Sequence, residues 1–151
     1  RQQRPVRLDY EFMPRHRTRG QLNARLRVSP LEGLAFGLDG SFYAGDWGVR
    51  HGSLEVSAEV PLSPGYRLRA WYRAAYQRQS RYFRRYPTRR LRYQTQDSDL
   101  GTFVLHSPGV FFEMPLGGEE PRWTGHVSAF GFVRDDGMLA LGGDLGVAAQ
   151  W

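Results

Sequence analysis

Apolar and polar residues alternate strictly between Glu55 and Ala74. Val56, Ala58, Val60 and Leu62 share one parity, with Glu55, Ser57 and Glu59 on the other. Beyond Ser63-Pro64-Gly65 the pattern resumes, with Leu68, Ala70, Tyr72 and Ala74 opposite Arg67, Arg69, Trp71 and Arg73. A period of two through a Pro/Gly turn predicts a β-hairpin with one apolar and one ionic face. A soluble sheet buries the apolar face against its own core, whereas an outer-membrane barrel turns it to lipid and keeps the ionic face inside.

The alternation recurs in eight segments. They are Val6–Met13, Leu22–Val28, Leu34–Tyr43, the two limbs of the hairpin (the second running to about Gln77), Leu100–Met114, Trp123–Val133 and Met138–Trp151. Ser107-Pro108-Gly109 marks an expected bulge in the sixth. No segment carries a convincing helical period, and the glycines and prolines fall mostly at segment ends. The pattern predicts an all-β, antiparallel transmembrane β-barrel of about eight strands, or the C-terminal strands of a larger barrel. Residues 1–151 read as one domain.

Connection lengths add a direction. Three connections are short ("SPLEG", "PLSPG", "PLGGEEPR"), and three of the other four are long, the longest running from Arg78 to Asp99. Short periplasmic turns and longer extracellular loops predict periplasmic termini. Trp151 ends a final strand whose apolar parity is Leu139, Leu141, Leu145, Val147 and Ala149. This resembles the C-terminal strand signature of outer-membrane barrels, which implies that Trp151 is an assembly signal. Tyr66, Trp123 and Trp151 are expected at one membrane rim, and Tyr43, Trp47 and Tyr76 at the other.

The stretch containing Tyr76, Gln79, Ser80 and Phe83, followed by Tyr93, Asp97, Ser98 and Leu100, resembles the C-terminal part of an uncharacterised family of Gram-negative outer-membrane β-barrels. The resemblance spans about residues 53–116. It implies a location, the bacterial outer membrane, and a fold; it implies no activity.

Composition narrows the chemistry. The net charge is +6, all 21 basic residues are arginine, and there is no cysteine, which excludes disulfides and thiolate metal sites. No apolar run approaches the ~18–20 residues of a membrane helix. The ionic parity carries Arg25, Arg27, Asp39, Glu55, Glu59, Arg67, Arg69 and Arg73, expected as an ion network filling the lumen. With hairpin pairing fixed by the turns, Glu55 is expected opposite Arg73, Glu59 opposite Arg69, Phe130 opposite Gly142, and His126 opposite Gly146.

The loop 79–98 interleaves Arg81, Arg84, Arg85, Arg89, Arg90 and Arg92 with Tyr82 and Tyr86. Arginine forks and tyrosine rings suit a polyanion or a protein partner, and outside an outer membrane the available phosphates belong to lipopolysaccharide. Unpaired like charges predict a loop that is open until an anion engages it. His126, Ser128 and Asp144 share a parity but lack a nucleophile turn, so no catalytic site, cofactor or metal is expected. The functional expectation is a structural, scaffolding or partner-binding outer-membrane barrel with its lumen filled by arginine and glutamate. One alternative is a passive porin within a larger barrel; the other is a soluble basic β-barrel that binds nucleic acid.

Overall fold

The computed structural model describes residues 13–86, 91–117 and 122–150. Seven strands form one antiparallel meander in chain order: β1 (Arg19–Leu31), β2 (Leu34–Gly45), β3 (Arg50–Ser63), β4 (Tyr66–Arg78), β5 (Phe103–Gly117), β6 (Arg122–Arg134) and β7 (Leu139–Gln150). The one helical element among the described residues is a 3-10 turn at Ser98–Leu100. The expected first strand at Val6–Met13 lies, but for Met13, outside the described residues, as do Arg89, Arg90 and Trp151. The sheet is not closed among the described residues: β1 and β7 each have one free edge.

Tight turns set the registers. Gly33 and Gly65 hold φ of +76° and +83°, which glycine adopts without a Cβ penalty. Glu55 lies opposite Arg73 and Glu59 opposite Arg69, while Phe130, Phe132 and His126 lie opposite Gly142, Ala140 and Gly146. The expected bulge at Ser107–Gly109 is corrected: β5 keeps one register with β4 and with β6 across it. Pro108 has no N–H to offer β6, and the Ser107 hydroxyl donates instead to the Gly131 carbonyl at 2.8 Å.

The two faces differ as the alternation requires. Leu22, Leu26, Phe36, Leu38, Phe42, Leu54, Val56, Tyr72, Val110, Leu141 and Leu145 all remain exposed on one face, with Leu54 at 51% and Leu145 at 82%. No second layer among the described residues covers them. The buried side chains Glu55, Ala75, Gln77, Phe103, Leu105 and Ser128 lie on the other face. The sheet therefore curls with its polar face inward, enclosing an open cavity of about 780 Å³ lined from β1 through β5.

Large side chains cross the concave face above glycines. A Cβ on Gly109 would come within 2.2 Å of the Trp71 indole, its cross-strand neighbour. Gly109→Ala is expected to push Trp71 aside and cost about 1–3 kcal/mol. Tryptophan emission and the unfolding midpoint report this; no change in either would show that the indole has room to move.

Connections at the two ends differ less than expected. Strands β2 and β3 extend to Gly45 and from Arg50, so the anticipated long loop between them shrinks to residues 46–49. Among the described residues, length asymmetry rests on the β4–β5 loop. Aromatic placement is also corrected. Tyr66 and Trp123 lie outward at the turn end and Tyr76 outward at the loop end, by strand parity. Tyr43 shares the inward face with Gln21 and His51, and Trp47 packs under Arg17 and against Tyr82.

Candidate functional site

The concave face carries a diagonal ladder of ion pairs. Asp39 accepts from Arg25 at 2.8 Å and from Arg27 at 2.6 Å. Glu55, whose side chain is 11% exposed, holds Arg73 at 2.8 Å and Arg69 at 3.4 Å. Glu59 reaches Arg67 at 3.4 Å, and Arg67 also binds Glu113 at 2.7 Å. All eight residues expected on the lumenal face are thus on this face, each in an ion pair. One detail differs: Glu59 faces Arg69 in register but bonds Arg67, because Arg69 leans towards the more buried Glu55. Removing charge from one partner here leaves the other without its offset, which is where such pairs matter most.

Arg27, on the same parity as Arg25, joins the ladder as that parity requires. Sequence reasoning missed Glu113, the cross-strand partner of Arg67. Its signal was the continuous pairing of β4 with β5, hidden by the bulge expected at Pro108.

His126, Ser128 and Asp144 do come together across β6 and β7. Asp144 sits in the middle, accepting from the Ser128 hydroxyl and contacting His126 Nε2 at 3.0 Å. A nucleophilic serine needs the imidazole as its base, with the carboxylate behind the imidazole. Here the serine spends its proton on the carboxylate, and the His126 ring stacks on Phe111 at 5.4 Å. The arrangement ties two strands together rather than activating a hydroxyl. No metal-binding cluster occurs among the described residues.

The β4–β5 loop is built rather than splayed. Ser80 and Thr95 are fully buried, and Gln94 nearly so. Arg81 N–H and the Ser80 hydroxyl both donate to the Trp47 carbonyl, at 2.9 and 3.1 Å. Arg84 N–H donates to Thr95 and Thr95 N–H to Tyr82, at 2.9 and 3.0 Å. Gln77, on the concave face, donates to the carbonyls of Asp99 and Gly101, tying the end of the loop to that face. The expectation of an open loop is corrected: buried small polar side chains and backbone bonds hold it despite the like charges.

The loop's arginines divide into two roles. Arg84 gives its guanidinium to the carbonyls of Arg81 and Phe83, at 3.1 and 2.8 Å, and so braces the loop itself. Arg81, Arg85 and Arg92 are exposed, with Arg81 and Arg92 over the rings of Tyr82 and Tyr93 at 5.8 and 5.2 Å. Tyr86 is exposed too.

Arg134 is the bolt between this loop and the β6–β7 turn. Its side chain is 3% exposed and bonds Asp99 at 2.7 Å, Asp136 at 2.6 Å and the Ser98 carbonyl at 3.1 Å. Its guanidinium lies 3.9 Å above the Phe103 ring, whose neighbours Ala75, Leu105 and Phe132 form the small apolar cluster of the concave side. Burial pushes the Asp136 carboxyl up, but hydrogen bonds from Arg134 and from the Met138 amide outweigh it and hold the group below its usual range. No family model, curated protein or solved structure matches the chain.

Proposed function

We propose that this chain forms all or part of an outer-membrane β-barrel with a structural, scaffolding or partner-binding role. One observation carries the reading: every strand offers an apolar face to the outside that nothing among the described residues covers, while the opposite face is ion-paired. Exposed leucines across a whole sheet favour an apolar phase at about 25 cal/mol per Å². The strands, of 12 to 15 residues, exceed the ~9–11 that span a bilayer. On the outward face even His106 is satisfied, its Nδ1 lying 2.5 Å from the Tyr72 hydroxyl.

Strand direction constrains closure. In an antiparallel meander β1 and β7 run the same way, so joining them directly would make a parallel pair. An antiparallel barrel needs an odd number of further strands between them, giving the even total of bacterial barrels. One gives the eight expected from the alternation; three or more give the larger barrel of the porin alternative.

A folded barrel should need detergent for solubility and migrate faster on cold gels than after boiling. A detergent-free monomer that binds oligonucleotides in a salt-sensitive way would replace this reading with the nucleic-acid one. Planar-bilayer recording separates the remaining pair: an eight-stranded barrel, whose interior is only wide enough for its side chains, gives no conductance steps, and large steps favour the porin.

The exposed loop arginines supply a contact for lipopolysaccharide or a protein partner. Arg81→Gln, Arg85→Gln and Arg92→Gln together should weaken binding to immobilised lipopolysaccharide severalfold, and the difference from the parent should shrink at high salt. Leaving Arg84 intact keeps the loop braced. Equal binding by variant and parent at low salt would make these arginines solvated decoration.

A further inference from the structure

At the loop end the sheet's arginines and carboxylates are unevenly matched. Asp46 accepts from Thr18 N–H and Asp135 from Val104 N–H, each at 3.0 Å, and Asp97 accepts from Asp99 N–H. Asp99 and Asp136 hold Arg134. Every acid of this end that is described is therefore engaged. Arg50 and Arg78 have no ion pair among the described residues, and both are exposed.

These two arginines are directly opposed across β3 and β4. Strand parity puts both on the outward face, in line with Gly52 and Tyr76, then Leu54 and Ala74, then Val56 and Tyr72. The apolar band therefore ends, at its loop-side rim, in a tyrosine that is 53% exposed and then in two facing guanidiniums. Like charges opposed in an antiparallel pair destabilise it, and an anion held between them reverses the sign. The concave-face arginines show the contrast, since Arg25, Arg27, Arg67, Arg69 and Arg73 each have a carboxylate.

We infer that Arg50 and Arg78 clamp a phosphate of a phosphorylated glycolipid headgroup, the lipid anchor of lipopolysaccharide, in the leaflet at the loop end. Depth selects the ligand. The pair sits one residue pair beyond Tyr76, where hydrocarbon gives way to headgroups and where tyrosine is favoured. Two planar forks present several donors at once, and a phosphate monoester offers three acceptor oxygens to them where a carboxylate offers two. The exposed loop arginines lie further along the same end, over the sugar region.

The inference rests on the membrane reading above, and its test separates the two. Parent and R50Q/R78Q are inserted into neutral phosphatidylcholine vesicles, and protease protection of the strands reports the fold in lipid. Retention of bis-phosphorylated lipid A is then read by native mass spectrometry from zwitterionic detergent micelles. Both proteins should insert alike, while R50Q/R78Q retains lipid A roughly tenfold less than the parent. Lipid A stripped of its phosphates should bind the parent no better than the variant. Equal insertion with equal retention of the intact lipid, or firm retention of the stripped lipid by the parent, overturns the clamp and leaves the barrel standing. Failure of the parent to insert overturns both, and insertion by the parent with failure by R50Q/R78Q overturns the clamp in favour of a role for the two arginines in folding.

Discussion

Replacing Val56 with arginine is expected to destabilise the protein in lipid vesicles by about 2–4 kcal/mol. Val56 lies midway along β3, opposite Leu38 on one side and Tyr72 on the other. It is 47% exposed, so in a water-soluble sheet the substitution would be close to neutral and would improve solubility. In a bilayer the same position has hydrocarbon on its open side, and a guanidinium there must drag water inward or bend the side chain to the surface. The two settings therefore predict different outcomes, near zero in a soluble sheet and a clear loss in lipid. Leu62→Arg, exposed at the turn end of the same strand, should cost only ~0–1 kcal/mol near the interface. Urea titration of refolding into vesicles reads both. A depth profile that is flat, with Val56→Arg no worse than Leu62→Arg, would remove lipid from the outward face.

The second large effect is expected at Arg134. Arg134→Met keeps much of the volume above Phe103 but removes the bonds to Asp99, Asp136 and Ser98. Hydrogen bonds to charged groups contribute ~1.5–3 kcal/mol each, and the freed acids can turn to water, so a net loss of about 2–4 kcal/mol follows. The loss should be local. Trypsin should cut after Arg81 and Arg85 much faster in the variant, while insertion into vesicles stays as in the parent. If cleavage and melting are both unchanged, Arg134 is a passenger and the loop is held by Ser80, Thr95 and the Trp47 carbonyl alone.

The same cluster predicts a response to acid. Asp136 has its carboxyl held below the usual value in the folded protein, so its contribution is fully present above the unfolded value near 3.8. It fades as pH falls through the lower folded value. Loop protection from an acid-stable protease should therefore weaken below about pH 4, and Asp136→Asn should flatten that dependence. A loop equally protected in parent and variant across this range would place the acid sensitivity elsewhere.

How much of this was legible in the sequence differs by feature, for physical reasons. A strand has a period of two, so parity alone assigned Val56 outward and Glu55 inward. Short turns at Gly33 and Gly65 leave few registers, and pairing by simple counting put Glu55 opposite Arg73 and Phe130 opposite Gly142. Facing strands in one hairpin are local, and local geometry is what a sequence encodes directly. Strand ends were less legible: β2 and β3 continue through Gly45 and Arg50 because neighbours already in register extend the ladder.

What only the tertiary structure decided lies where distant segments meet. Arg69 turned from Glu59 to Glu55 because a carboxylate deep in the curled face attracts more strongly than an exposed one. Pro108 stayed in register because β4 and β6 hold β5 from both sides and Ser107 replaces the missing donor. The β4–β5 loop is pinned through Trp47, Gln77 and Arg134, each of which stands 24 or more positions from at least one of its partners. By itself, then, the sequence determined an all-β antiparallel chain with one apolar and one ionic face. The curl that makes the ionic face an interior, and the pinning of the loop at its end, depended on contacts that no local pattern records.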